Sequence, residues 1–559
     1  MSKRAKTAAV KTKLRAAIDT GMFEGFSLKA IPVFGRVRAE GGFRPHLIYN
    51  FLAATQPEKT ALIHGERRLS FAELLNRVNR LANALSALGV RKGDRVAMMA
   101  RNSPEFMEIQ TACSKIGAGA VIVNYRLTPP EIEYIVNNSG ASALIYDAAF
   151  GEVVKATRPR LSNIDDKKYV VIRGDGRESD RGYEQILAAS SPLDPPPPGK
   201  DATNAVVMYT SGTTGKPKGA VRDLGKAGLG TILSFLQVVP LHRSDVHLVA
   251  APMYHATGSG LATAHFSFGC TLVLMDKWKP EDVLALIDRH KVNSTALVPT
   301  MLGDVLNLPD DVWSKYDVRS MKAIVTTGSP MTDPIRDKVA QRFGPVLYDL
   351  YGSTEMAWVT IARPEDHVHR RGTIGRPVPG TDVVILGEDG RPVKSGEIGE
   401  IFAKNDLLIE GYHGNEEATK KSQWNGYFSV GDIGRRDENG YYYICDRKSD
   451  MVISGGANIY PAEIEAVLVQ HPDVADAAVI GVPDDRWGER LVTFLVLKEG
   501  APAFDAERIV EFCRDKLAGY RIPREYIVKD ALPRASTGKI HKRTLKQEYL
   551  AAHPPGASA

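Results

Sequence analysis

Between about residues 60 and 350, short aliphatic runs alternate with amphipathic stretches. HLVAAP (247–252), TLVLM (271–275), STALV (294–298), KAIVTT (322–327) and VLYDL (346–350) are apolar nearly throughout. Such runs, without a polar residue at every second place, predict strands buried on both faces. Between them, 281–290 and 334–343 carry apolar residues at helical spacing. The second has Asp333 as its cap, Pro334 at its first position and Gly344 just past its end. Strands alternating with helices predict parallel sheets covered on both faces.

The pattern changes near 372. TDVVIL, GEIGEIFAK and YYYICD are strands separated by Gly-rich turns, which predicts a small β-barrel or an antiparallel layer. From about 450 it changes again. A helix over 461–470, strands over 475–481 and 491–497, a helix over 505–517 and a basic C-terminal stretch predict a small α+β domain. SSPLDPPPPGK (190–200) is a Pro-rich surface loop leading into the strand AVVMYT (205–210), so it reads as a connector.

Composition narrows the class. The chain has 559 residues, about three or four domain-sized units. With 25% charged and 43% hydrophobic residues, it is an ordinary globular protein and not disordered, collagenous or coiled-coil throughout. No apolar run approaches the roughly 18 residues of a membrane-spanning helix. No signal peptide is expected, because the first 18 residues have no apolar core segment.

The formal net charge of +6 is matched by Lys3, Arg4, Lys6, Lys11, Lys13 and Arg15 alone. Nucleic-acid binding is not expected, since that charge lies in one tail and not along a groove. Val10, Leu14 and Ile18 are four apart, so residues 1–18 read either as a solvated terminus or as a basic amphipathic helix on a membrane surface. Cys113, Cys270, Cys445 and Cys513 have no CxxC or Cys/His metal spacing. They read as small, buried, reduced residues of a cytoplasmic protein.

The strongest chemical signal is Tyr209-Thr-Ser-Gly-Thr-Thr-Gly-Lys-Pro-Lys-Gly219, directly after a buried strand. Glycines let backbone N–H groups close on an anion, hydroxyls donate to phosphate oxygens, and the lysines add positive charge. It is not a Walker A loop, because Pro217 follows Lys216 where that loop needs Ser or Thr opening a helix. Thr210, Ser211, Gly212, Thr213, Thr214, Gly215, Lys216 and Lys218 are therefore the candidate phosphate-binding residues.

With this loop and six further motifs in order, the chain resembles the adenylate-forming superfamily of acyl-CoA synthetases, luciferases and nonribosomal-peptide adenylation domains, over about residues 45–548. The resemblance implies an α/β fold. It has a large N-terminal domain of two doubly wound α/β subdomains plus a small β-barrel, then a small mobile α+β C-terminal domain. The boundaries expected are 1–44 for a basic extension, 45–448 and 449–559. In Ala251-Pro-Met-Tyr-His-Ala-Thr-Gly258 the resemblance puts His255 beside the acyl site, where it gates or orients substrate. In Thr326-Thr-Gly-Ser-Pro-Met331 it puts Gly328, Ser329 and Pro330 along the adenine. In Asp349-Leu-Tyr-Gly-Ser-Thr-Glu355 it gives Tyr351 to the adenine, Gly352 to the acyl-pocket wall, Thr354 to the α-phosphate and Glu355 to Mg²⁺, an ion that favours hard oxygen ligands.

In Ser429-Val-Gly-Asp-Ile-Gly434 the resemblance implies that Asp432 binds both ribose hydroxyls. In the motif starting at Asp446, Arg447 matches a ribose and phosphate contact, and Gly455 and Gly456 match the loop along the pantetheine tunnel. Ser449 holds the hinge position, where relatives often have Asp or Lys, so nothing is argued from a hinge charge. In Pro533-Arg-Ala-Ser-Thr-Gly-Lys-Ile-His-Lys-Arg-Thr-Leu545, Lys539 matches the catalytic lysine, a mobile cation that stabilises charge on the α-phosphate and leaving pyrophosphate. Lys542, Arg543 and Lys546 read as a solvated basic stretch.

The expected reaction is ATP-dependent, with Mg²⁺. A carboxylic acid gives an acyl-adenylate and pyrophosphate, and coenzyme A then takes the acyl group and releases AMP. A medium- or long-chain fatty acid is favoured, with an aryl or polycyclic acid as the alternative. Loading a carrier protein in trans, a luciferase-type oxygenase and a silent binding regulator remain rivals. The protein is expected in the cytoplasm, with the membrane-surface reading of residues 1–18 placing it peripherally at the inner face.

Overall fold

The apolar runs form the middles of two large sheets. The computed structural model describes residues 18, 20–21, 24, 28–42, 44–174, 180–202, 205–210, 217–223, 234–454, 457–484, 486–534 and 539–553. The tail up to residue 17, Ser211, Gly212, Thr213, Thr214, Gly215 and Lys216 of the phosphate loop, and Gly455 and Gly456 lie outside the described residues.

The eight-stranded sheet runs, edge to edge, Gly411–Tyr412, Lys218–Asp223, Ala205–Thr210, Gly119–Ile122, Arg95–Met99, Ala143–Asp147, Tyr169–Ile172 and Arg181–Gly182. The nine-stranded sheet runs Arg376–Pro377, Ala357–Ala362, Leu347–Ser353, Ala323–Thr326, Ser294–Leu297, Val246–Val249, Thr271–Leu274, Thr60–His64 and Arg67–Ser70. Both are parallel at the centre and antiparallel at an edge. Helices Phe71–Ala87 and Pro104–Lys115 belong to a single core shared by strands of both sheets, through Leu74, Leu81, Phe106 and Ile109 against Val96, Met98, Leu62 and Leu272. The first helix starts on a capping box: Glu73 N–H donates to Ser70 Oγ at 3.2 Å, and Ser70 N–H to Glu73 Oε2 at 2.7 Å.

Two expected strands end elsewhere than the apolar pattern suggests. The run 247–252 forms a strand only over Val246–Val249; past its end Asn102 Nδ2 takes the Ala251 carbonyl at 3.1 Å and shares that of Val249 at 3.2 Å. The run 346–350 continues as a strand to Ser353, because it turns back antiparallel onto Ala357–Ala362. Gly352 is required there, since a Cβ on it would lie 1.8 Å from the Ala357 carbonyl oxygen. The helix expected at 334–343 spans Asp333–Phe343 with Thr332, not Asp333, as its cap.

Where a barrel or antiparallel layer was expected, a six-stranded antiparallel sheet is built from Asp382–Leu386, Ile398–Lys404, Gln423–Trp424, Tyr427–Phe428, Asp432–Arg436 and Tyr442–Arg447. The C-terminal unit is a five-stranded sheet. One face is covered by Pro461–Leu468 and Ala506–Arg514, through Ile464, Leu468, Ile509 and Cys513. The other is covered by Lys542–Ala552, through Leu545 and Tyr549. The four cysteines are buried and free. Burial pushes the Cys113 and Cys270 thiols up to about 12, which leaves them unreactive.

The solvated reading of Lys542 and Lys546 is corrected. Lys542 Nζ lies 2.8 Å from Glu465 Oε1, with side chains only 14% and 17% exposed, and Lys546 reaches Glu489 at 3.2 Å. The helix needs an inward cation because Glu465 also accepts the Val479 N–H at 2.6 Å inside the domain. Lys542→Met should therefore cost about 3 kcal/mol, the low end for a buried pair that loses one partner. A lowered thermal transition of the C-terminal domain, partly recovered by adding Glu465→Gln, is the expected reading. An unchanged transition would mean that solvent screens the pair.

Candidate active site

The phosphate-loop motif is carried by a hairpin. Ala205–Thr210 pairs antiparallel with Lys218–Asp223, so Thr210 stands opposite Lys218. A strand, not a helix, follows the second lysine, unlike a Walker A loop. Thr210 Oγ1 donates to Glu355 Oε1 at 3.2 Å. Tyr412 OH donates to the same oxygen at 3.1 Å. Tyr412 is placed by the two-residue strand Gly411–Tyr412 on the outer edge of the hairpin, and Lys218 Nζ lies 5.0 Å from its ring centre.

The turn after Leu347–Ser353 aims Glu355 into this group. Ser353 Oγ accepts the N–H groups of Glu355 and Met356 at 3.2 and 3.0 Å. The Arg222 guanidinium donates to the Thr354 carbonyl. Burial pulls Arg222 down to about 10, against the pull of Glu355, so it stays a cation at neutral pH. Glu355 is buried yet bonded by neutral hydroxyls. Among the described residues no three His, Cys, Asp or Glu side chains gather as a ligand set. A divalent ion here would thus take one protein carboxylate and fill its shell with phosphate and water, the habit of Mg²⁺.

A second carboxylate, Asp432, organises the other half. It is 8% exposed. Tyr351 OH donates to its Oδ2 at 2.9 Å, and Arg447 Nε lies 3.2 Å from Oδ1. Asp432 and Arg447 are direct partners on adjacent antiparallel strands. Lys539, from the C-terminal unit, enters the field of this pair. Burial and the Arg447 cation push its ammonium down to about 8, while Asp432 and Asp450 hold it up.

The remaining candidates lie around this centre. The parallel register of Thr326 with Asp349 sets Gly328 and Tyr351 at neighbouring strand ends. Gly328 has φ +96° and is exposed, as is Pro330, while Ser329 is half-buried. Thr326 Oγ1 and Asp349 Oδ1 are 3.3 Å apart, which ties that turn to the Tyr351 strand. His255 caps helix Ala256–Ser267 and belongs to an aromatic set. Its ring lies 4.4 Å from Tyr254, which is 4.8 Å from Tyr125, itself stacked on Phe150 at 4.7 Å. Burial and then Arg126 lower His255 to about 4, so it is neutral at pH 7. Ser449 is exposed, and its hydroxyl is 3.0 Å from Asp450 Oδ1. The chain just before it is pinned by Lys448 N–H to the Gly431 carbonyl at 2.7 Å.

The structure thus groups Thr210, Lys218, Thr354 and Glu355 on one side, and Tyr351, Asp432, Arg447 and Lys539 on the other. Gly352 joins the two groups. Three participants escaped the motif reading: Tyr412, Arg222 and Asn102, whose Oδ1 also accepts the Met253 N–H at 2.8 Å and so fixes the loop before His255. The only sequence signal for Asn102 is its place after a buried strand; Tyr412 and Arg222 have none.

Comparison with known proteins agrees with this geometry. Residues 52–413 match the family model described as AMP-binding enzyme, and 463–539 match the AMP-binding enzyme C-terminal domain. The chain is 35% identical to a long-chain-fatty-acid–CoA ligase, FadD13, of Mycobacterium tuberculosis, over 87% of this chain and 94% of the relative. It is also 35% identical to a feruloyl-CoA synthase of Amycolatopsis sp., over 89% and 97%. The crystal structure of the anthranilate CoA ligase AuaEII with anthranoyl-AMP superposes with TM-score 0.84 at 29% identity, covering 91% of this chain and 98% of that one. The chain belongs to the AMP-binding enzymes of the adenylate-forming superfamily, as an AMP-forming acid–CoA ligase that uses ATP and CoA and passes through an acyl-adenylate.

Proposed function

We propose that this ligase activates a medium- or long-chain fatty acid. The observation that carries the reading is a cavity at the far end of the helix that starts at His255. It is lined by Tyr49, Met107, Ala120, Val206, Thr263 and Phe266, largely apolar. Thr263 lies eight residues beyond His255, about 12 Å along the helix, and Val206 lies a similar way down the strand that ends at Thr210. An acyl chain laid along that helix, with its carboxylate at the phosphate groups, would bring its end to this cavity, which at about 50 Å³ has room for the last carbons only. The aromatic set of Tyr254, Tyr125 and Phe150 beside His255 favours a second reading, a flat aryl acid held at the mouth.

In either reading the residues divide the work. Residues 210–218 hold the β- and γ-phosphates. Gly328, Ser329, Pro330 and Tyr351 flank the adenine, and Asp432, once its hydrogen-bond partners yield, takes the ribose hydroxyls with Arg447. Thr354 faces the α-phosphate. Glu355 would hold Mg²⁺, which when bound neutralises charge on the triphosphate. Neutral His255 can orient or gate the acid but has no proton to give at pH 7. The acid's carboxylate oxygen attacks the α-phosphorus and pyrophosphate leaves, with Lys539 as the cation nearest the growing charge. The C-terminal unit then turns about Ser449, which brings Gly455 and Gly456 to line the path of the CoA thiol. The thiol sulfur attacks the acyl carbon and AMP leaves. No helix among the described residues is long and apolar enough to cross a membrane; we place the enzyme in the cytoplasm, with residues 1–18 available for peripheral contact at the inner face.

A panel of straight-chain and aryl acids, scored by CoA-dependent thioester formation, tests the substrate. Rates should climb with chain length, and Thr263→Trp should abolish the gain for long chains while sparing butyrate. Faster turnover of aryl acids, indifferent to Thr263→Trp, would favour the second reading. A pH profile tests Lys539. As its ammonium is lowered to about 8, kcat/KM for ATP should fall as pH rises through 8, because only the protonated form is the needed cation. Lys539→Arg should remove that falling limb; a flat wild-type profile from neutrality to pH 9 would contradict the role.

A further inference from the structure

The N-terminal helix Ile31–Ala39 faces outward with the wrong chemistry for a solvated helix. Its inner stripe is in order: Ala30 and Val33 are buried, and Glu40 behind them is 1% exposed. The helix is also held firmly. Glu40 lies 3.0 Å from His46 Nε2 and 3.2 Å from Arg36, and Arg36 pairs in turn with Asp194, which Lys115 also engages. Yet on the outer side Ile31 is 57% exposed and Phe34 52%, one turn apart, and Leu28 just before them is 77% exposed. Leu193, beside the Asp194 that clasps Arg36, is 74% exposed. Ile18, at 59%, precedes a turn at Thr20 and Gly21 whose carbonyls accept from Arg243. Four of the eleven large exposed apolar side chains among the described residues, Ile18, Leu28, Ile31 and Phe34, therefore fall within the first 34 residues.

Charge accompanies the apolar face. Arg38 is exposed one turn beyond Phe34, Lys29 is exposed in the turn before the helix, and residues 1–18 add Lys3, Arg4, Lys6, Lys11, Lys13 and Arg15 without one acid. A second copy of the chain is a poor occupant, because a two-fold contact would set the exposed cations Lys29 and Arg38 of one copy near those of the other. An anionic bilayer answers both features: lipid headgroups meet the cations and the interface takes the apolar side chains. We propose that the outer face of Leu28–Ala39 docks the enzyme on an anionic lipid bilayer, Ile31 and Phe34 entering the interface. The proposal is independent of which acid is activated.

Full-length protein is sedimented with vesicles of phosphatidylcholine alone or mixed with phosphatidylglycerol, at low and high salt. Binding should need the anionic lipid and weaken with salt. Ile31→Ser/Phe34→Ser should reduce it at least about tenfold, since two apolar side chains leave the interface, while melting temperature and thioester formation on a soluble short acid stay unchanged. If that double variant melts early, Leu28→Ser, one turn before Ile31, should lower vesicle binding in its place. No binding to anionic vesicles at low salt overturns the proposal. So does equal binding by wild type and variants, or a variant that turns a dimer into a monomer in light scattering with vesicle binding untouched, which would give the face to a second copy.

Discussion

The site depends on the buried carboxylate of Asp432. A charge that is 8% exposed is tolerated only if it is answered, and here the answer comes from two parts of the chain. Tyr351 reaches it from the end of the nine-stranded sheet, and Arg447 from the adjacent strand of the antiparallel layer. This fixes the α/β body against the layer that leads into the C-terminal unit. It also sets the field in which Lys539 stands, lowered by burial and Arg447 and supported by Asp432. On the proposed assignment nucleotide binding would alter that balance, since ribose hydroxyls would compete for the same carboxylate oxygens and phosphates would add negative charge beside the lysine.

Glu355 is treated differently, and the contrast has chemical sense. Among the described residues its carboxylate meets the hydroxyls of Thr210 and Tyr412 and no cation at hydrogen-bond distance. A carboxylate bonded by neutral donors keeps its charge available for a hard ion, whereas one in a close ion pair does not. Arg222 stands nearby but donates to the Thr354 carbonyl, so it holds the turn. The Gly352 close approach serves the same end: with the Ala357 carbonyl so near its Cα, the chain reverses sharply and Thr354 and Glu355 emerge at the strand end, where open α/β sheets place their ligands.

The alternation of sheets and helices was legible because parallel strands buried on both faces leave unbroken apolar runs, as in 271–275 and 294–298. Ends were less legible wherever a distant group decides them. Asn102 takes the Ala251 carbonyl just past the end of one strand, and Ala357–Ala362 extends the other beyond Leu350; neither neighbour is local in sequence. Lys542 looked solvated because its partner Glu465 is far back along the chain. The phosphate-loop residues were read from their own chemistry, and the other candidate site residues through family resemblance. Both left Tyr412 and Arg222 unmarked. Their contacts span 57 and 132 residues, and no spacing rule links them.

On the proposed division of labour, Lys539 acts with the Asp432–Arg447 pair in forming the adenylate and plays no part in thioester formation. Acid-dependent exchange of labelled pyrophosphate into ATP isolates the first step, and conversion of supplied acyl-adenylate with CoA isolates the second. In Lys539→Ala the exchange should fall by about 100-fold or more, as for loss of a charge-stabilising donor, while the second step keeps near wild-type rate. Equal loss in both steps, or exchange that survives the substitution, would contradict the account.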